Sequence, residues 1–315
     1  MARLRRYSIE LLLVSVLAIA VSYFAFLGYG LLTPAFVVEP FSGDRAMGYV
    51  EKQLEFGDRA TGSANNIRMG DWLIEELRLL GWDVVVQPFV APDDLPARNI
   101  IAIRNISPAP ARTAMLLTHY DTRMFADRDP NPDNHIQPTL GANAGASGAA
   151  VLLELARTLD VSPVGHTVCL VFLDAEANDG IEGWDATLGS TQLVERLDAD
   201  IPRCRAPRFG IYLDMVGGQN QRLFAETSSF PLLTKSVWDV AAELGDSTSF
   251  INEPTWSAND AHSRLRDMDV PAITMSDYNY PHRATMADTL EQLSVESLGQ
   301  VGTTLKMWLE RGAPF

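Results

Sequence analysis

Five residues able to move a proton or hold a cation stand where apolar runs give way to polar segments. His119 and Asp121 close or follow Ala114-Met-Leu-Leu-Thr-His-Tyr120, Asp174 and Glu176 follow Thr167-Val-Cys-Leu-Val-Phe172, and Asp214 ends the run that begins at Phe209. A carboxylate placed beside a reacting atom serves as general acid or base, and carboxylates with an imidazole form a donor set for a divalent metal. One acid after a strand is ordinary turn chemistry. Acids at successive strand ends, with a histidine among them, read instead as a polar, metal-linked site.

Helices are expected over Ser42 to Phe56 and Ser63 to Leu80, where apolar residues recur at helical spacing and Gly81 stops the second. Strands are expected at Trp82 to Phe89, Asn99 to Arg104, Ala114 to Tyr120, His166 to Leu173, Phe209 to Asp214 and Ala272 to Met275. Between them fall a polar loop from Asp121 to Leu140 and helices from Ala146 to Leu159, near Leu193, and over Leu232 to Leu244, Ala261 to Arg266 and Val295 to Leu309. Alternating strands and helices imply an α/β fold, a three-layer sandwich with a largely parallel, mixed central sheet. Its site belongs at the C-terminal ends of the strands.

Three further segments sharpen the chemistry: Gly141-Ala-Asn-Ala-Gly-Ala-Ser-Gly148, Phe172-Leu-Asp-Ala-Glu-Ala-Asn-Asp-Gly180 and Tyr280-Pro-His-Arg-Ala-Thr-Met-Ala-Asp-Thr289. They resemble the active-site segments of the zinc aminopeptidase and glutaminyl cyclase superfamily, which read G-A-N-D-G-A-S-G, F-D-A-E-D/E and Y-P-x-x-H-T-x-x-D-T. Gly57-Asp-Arg-Ala-Thr-Gly-Ser63, Thr118-His-Tyr-Asp-Thr122, Leu213-Asp-Met-Val-Gly217 and Asn259-Asp-Ala-His262 are similar to other parts of the bacterial glutaminyl cyclase-like branch. The resemblance implies that Ala144, Ala177 and Ala284 occupy the positions of the zinc ligands. A methyl group has no lone pair, so no bound metal is expected in the chain as written, whereas the intact family carries zinc. It also implies that Glu176 is the general acid/base, that Asp214 and Asp260 orient substrate and that glutamate, and that His119 and Asp214 could be weak residual ligands of a second metal. Every departure is alanine, with Ala261 a fourth candidate, which points to deliberate inactivation.

The function implied is a catalytically inactive, glutaminyl cyclase-like scaffold, whose intact relatives cyclise an N-terminal glutamine and release ammonia. Alternatives are a metallo-aminopeptidase of the same superfamily and a peptide-binding pseudoenzyme. Peptide N-termini are the expected ligands under each reading. A ligand set relocated to His282 or Asp179 would require a rebuilt loop, because metal geometry tolerates only tenths of an ångström. The glycine-rich run has neither G-x-G-x-x-G spacing nor a Gly-Lys-Ser/Thr ending, and Ser147 lacks the G-x-S-x-G elbow, so neither phosphate binding nor a serine nucleophile is supported.

With 40 acidic against 25 basic residues the chain carries a net charge of −15, which argues against nucleic-acid binding. Leu11 to Val38 contains no charged residue, and Arg3, Arg5 and Arg6 precede it. Since ~20 apolar residues span a bilayer, residues 1–38 are expected to be a cytoplasmic basic tip and transmembrane signal anchor, with residues 39–315 an extracytoplasmic domain. Cys169 in an apolar strand and Cys204 in a polar turn are expected to be unpaired. No oligomeric state follows from the sequence.

Overall fold

The central strands carry unbroken apolar runs because both of their faces are covered. The structure, a computed structural model, describes residues 14–25, 39–105 and 112–315. Six strands form the main sheet: β1 (Asp83–Ala91), β2 (Leu95–Arg104), β3 (Thr113–His119), β4 (Thr167–Leu173), β5 (Pro207–Asp214) and β8 (Ala272–Ser276), in the order β1-β2-β4-β3-β5-β8. β3, β4, β5 and β8 run parallel, while β2 pairs antiparallel with both β1 and β4. The sheet is thus mixed, with a parallel half that bears the candidate site.

Alternate side chains serve opposite layers, as a two-residue period requires. Leu116, Leu170, Phe172 and Ile211 join one buried cluster with α2 (Gly43–Leu54), α3 (Ala64–Leu79), α4 (Ser147–Thr158), α7 (Pro231–Leu244) and α9 (Val295–Glu310). Leu117, Cys169, Val171 and Tyr212 join the other, with α5 (Leu188–Glu195), α6 (Leu197–Asp200) and α8 (Ala261–Asp267). Ser42 and Ser63 cap α2 and α3 by accepting hydrogen bonds from the backbone N–H groups of Arg45 and Asn66, satisfying donors that a helix start leaves free.

Two elements escape sequence reasoning. β6 (Leu223–Glu226) and β7 (Phe250–Trp256) form a separate two-stranded parallel sheet. The first is buried but only four residues long, too short for a pattern to be read, and the second contains Pro254 and is mostly exposed.

The cysteine expectation is overturned: Cys169 and Cys204 form a disulfide, with Cα atoms 6.2 Å apart. Cys204 ends a short 3-10 turn, Pro202–Cys204, and is itself fully buried beside β4. The polar sequence around it hid that burial, because proximity arises only when α5 and α6 return the chain to the sheet.

The chain divides into two units, Met1–Glu39 and Pro40–Phe315. In the first, residues 14–25 are helical and form α1. At 1.5 Å per residue such a helix is about 18 Å long, short of the ~30 Å hydrocarbon core. Among the described residues no helix is long and apolar enough to cross a membrane, and the rest of the predicted span lies outside them.

Candidate active site

The chain leaves β3 toward β4 on one side, then crosses to β5 on the other, so the loops diverge beyond the C-terminal end of β3 and open a crevice there. A cleft of about 310 Å³ occupies this position, and Ala144, Ala177 and Ala284 all line it, with His119, Glu176, Asp214 and Asp260. Three segments widely separated in sequence therefore meet at one place.

Each segment is held by a buried carboxylate behind the cleft. Asp288 accepts hydrogen bonds from the backbone N–H groups of Asn143 and Ala144 at 2.8 and 3.1 Å and from the Tyr280 hydroxyl at 2.9 Å. Burial raises its pKa to about 6 despite these donors. Asp121 accepts from the N–H groups of Glu176 and Ala177 at 3.1 and 3.0 Å. Asp174 takes donors from Thr61, Asn66, Tyr120 and the Arg98 backbone, and burial together with the charge of Asp121 pushes its pKa up to about 7. Asp121 and Asp174, read in the sequence as site acids, are thus fully buried scaffolding.

The glycine-rich run is the entry turn to α4. Gly145 has φ 94°, and a Cβ there would lie 2.4 Å from the Asp121 carbonyl oxygen, so only glycine fits. Ser147 donates to the Asn143 carbonyl and accepts from Val216 N–H, a structural role. Ala175, Met215 and Ala284 lie at φ 61°, 49° and 57°, left-handed conformations clustered around the cleft.

His119 is buried between two acids, its Nδ1 3.2 Å from Asp121 and its Nε2 3.2 Å from Asp214. Burial acts to lower its pKa, but the hydrogen bonds and charges of both carboxylates prevail and raise it to about 10. Asp214 is held below the usual carboxylate range: burial opposes this, and the His119 bond and charge and the charge of Arg283 outweigh it. Glu176 accepts from Ser190 N–H through Oε1 at 2.6 Å, while Oε2 is buried without a partner. Burial raises its pKa well above the ordinary value, against the opposing hydrogen bond from Ser190, which favours the protonated form of a group placed to transfer a proton.

Asp260 is clasped from behind. It caps α8, accepting from His262 N–H at 3.1 Å, and bonds the His262 ring through Nδ1. The other ring nitrogen faces Glu226 at 3.1 Å and the Ser228 hydroxyl at 3.0 Å. Ser228, His262 and Asp260 imitate a serine triad, but Glu226 prevents that chemistry. Burial opposes the charge on His262, yet the charge and bond of Asp260 and the bond and charge of Glu226 raise its pKa to about 9. An imidazolium donating from both nitrogens has no lone pair with which to take the serine proton.

A folded-state pKa above the ordinary 6.5 means that the His262 contribution to stability is fully present below about pH 6.5 and is lost as pH rises through 9. The urea midpoint should therefore fall between pH 6.5 and 9. In His262→Gln that fall should be smaller; an identical fall in both proteins would refute the assignment.

The sequence did not single out Arg123, Arg128, Arg283, Trp256 or Tyr278, which also line the cleft. The two aromatics stack with ring centroids 4.9 Å apart at 15°. Periodicity carries no signal for such residues, since they sit on loops and on an exposed strand. His282 is absent from the lining and packs on Tyr280, and Asp179 is ion-paired with Arg123 at 3.0 Å. Among the described residues, no group of three or more histidine, cysteine or acidic side chains could hold a metal ion.

A model of peptidase family M28 matches residues 99–309. The chain is 31% identical over 196 residues to the glutaminyl-peptide cyclotransferase-like protein of Mus musculus, an overlap of 55% of this chain and 47% of that one. It spans about half the length of the curated relatives it matches. Among solved structures, a Zn-dependent exopeptidase from Parabacteroides distasonis superposes with a TM-score of 0.79 at 30% identity, covering 87% of this chain and 99% of that one. The glutaminyl cyclase of Bacteroides thetaiotaomicron, bound to N-acetylhistamine, gives 0.77 at 32% identity, with coverage of 87% and 98%.

Proposed function

Since the chain belongs to peptidase family M28, we propose that it is a glutaminyl cyclase-like scaffold whose principal zinc site is vacated, so that it holds peptide N-termini without turning them over. The observation that carries this reading is the convergence of Ala144, Ala177 and Ala284 on one cleft beside Glu176, Asp214 and Asp260. The residues present do not fit zinc at that place: three methyl groups face the cleft, and His119 and Asp214 are hydrogen-bonded to each other. Ala284 adds independent support, because its φ of 57° suits histidine better than alanine. What remains is three carboxyl groups, Glu176, Asp214 and Asp260, lining one cleft, a set of hydrogen-bond acceptors that suits an ammonium group. Relatives of both names match the chain, and the cyclase branch is preferred because Gly57 to Ser63 resembles the entry region of bacterial glutaminyl cyclase-like proteins. Metal analysis and turnover of a ligand-restored variant test this reading.

The scaffold is placed outside the cytoplasm, behind a membrane anchor. Support comes from Arg3, Arg5 and Arg6 before the uncharged stretch Leu11 to Val38, and from the disulfide, which persists in oxidising compartments. The full chain should stay in the membrane fraction through carbonate washing, with residues 39–315 open to external protease. Recovery as a soluble protein shortened by about 30 residues would show a cleaved signal instead.

A further inference from the structure

We propose that the cleft selects peptides that carry a carboxylate close to their N-terminal ammonium, and that Arg128 and Arg283 bind that carboxylate. The inference rests on the reading of the cleft as a peptide N-terminus site and adds the ligand's second charge.

Of the three arginines lining the cleft, Arg123 is fully engaged. It forks onto Asp127 through Nε at 2.7 Å and Nη2 at 2.5 Å, and its Nη1 donates to Asp179 at 3.0 Å and to the Ala177 carbonyl at 2.9 Å. The other two are not. The Arg283 guanidinium comes no nearer to an acid than 3.7 Å, and that acid is Asp179, already taken by Arg123. Arg128 is exposed, and its charge acts on the neighbouring Asp127, a carboxylate that Arg123 already forks. The Arg128 backbone N–H donates to the Ala284 carbonyl at 3.2 Å, which ties it to the segment that carries Arg283.

Two guanidiniums with few partners, each presenting five donors, therefore share a cleft of about 310 Å³ with Asp214 and Asp260. That volume lies at the small end of ligand sites, so both charges of an occupant must fall within one or two residues. Guanidinium matches carboxylate in a bidentate fork, and partial burial strengthens the pairing. Arg283 has a side-chain exposure of 30%, which leaves it reachable yet partly desolvated. Positive charge that the alanines cannot retain through a metal is thus supplied by arginine. A dipeptide with a free C-terminus, or an N-terminal segment with an acidic second residue, carries both charges within one or two residues.

Calorimetric titration of the full chain with Gln-Ala, Gln-Ala amide and N-acetyl-Gln-Ala tests this. The free acid should bind about tenfold more tightly than the amide, the factor expected for one partly buried charge-assisted pair. In the double variant Arg128→Gln/Arg283→Gln, with cooperative unfolding as the check on folding, that discrimination should collapse to within twofold. Equal binding of acid and amide by the unaltered chain would overturn the arginine assignment while leaving the peptide reading intact. Tight binding of the acetylated acid would show an anion site and overturn the peptide reading. No binding of any of the three would overturn both.

Discussion

The combined variant Ala144→Asp, Ala177→Asp, Ala284→His should hold stoichiometric zinc and turn over at least about a thousandfold faster than the chain as it stands, the scale set by removing a principal source of transition-state charge stabilisation. The scaffold for those ligands is in place. Asp288 fixes the backbone at 144, Asp121 fixes it at 177, and Ala284 already holds the left-handed conformation that histidine tolerates. Glu176 is buried with its pKa raised, a group that can transfer a proton but cannot polarise a carbonyl, a task that a bound metal supplies. Any single restoration should recover little, because groups that act as a unit are grossly non-additive. Ammonia release from a glutaminyl peptide and amine release from an aminoacyl amide, measured beside zinc content, distinguish cyclase from aminopeptidase. Stoichiometric zinc and comparable turnover in the unaltered chain would sink the vacated-site reading.

Loss of the disulfide should cost about 3–4 kcal/mol, the chain-entropy value for a closed loop of this length. The bond joins residues 35 apart in sequence and encloses α5 and α6 together with the loop that follows β4. That loop carries Glu176 and Ala177, so opening it loosens one wall of the cleft as well as the sheet behind it. In guanidinium titrations, Cys169→Ala/Cys204→Ala should show a lower midpoint and a somewhat steeper slope, because the denatured chain is more expanded without the cross-link. A midpoint within error of the parent would mean that burial of the two side chains, rather than the cross-link, secures this layer.

The sequence by itself determined the strands of the parallel half and the helices that cover them, because each carries a local pattern: apolar runs in β3, β4 and β5, helical spacing in α3 and α9, serine caps at Ser42 and Ser63. It also determined at which end of the strands the cleft lies, since the direction of a parallel strand dictates where its following loop emerges. Tertiary structure alone decided what the residues at that end do. Asp121, Asp174 and Asp214 look alike in sequence, yet the first two are enclosed as backbone clamps and only the third lines the cleft. The same holds for Cys204, polar by its neighbours and buried by the fold, and for Glu226, which reaches His262 only because β6 lies beside it. Arg128 and Arg283, 155 residues apart, share a wall for the same reason. Burial, charge pairing and a missing partner are properties of surroundings, and surroundings exist only once distant segments have met.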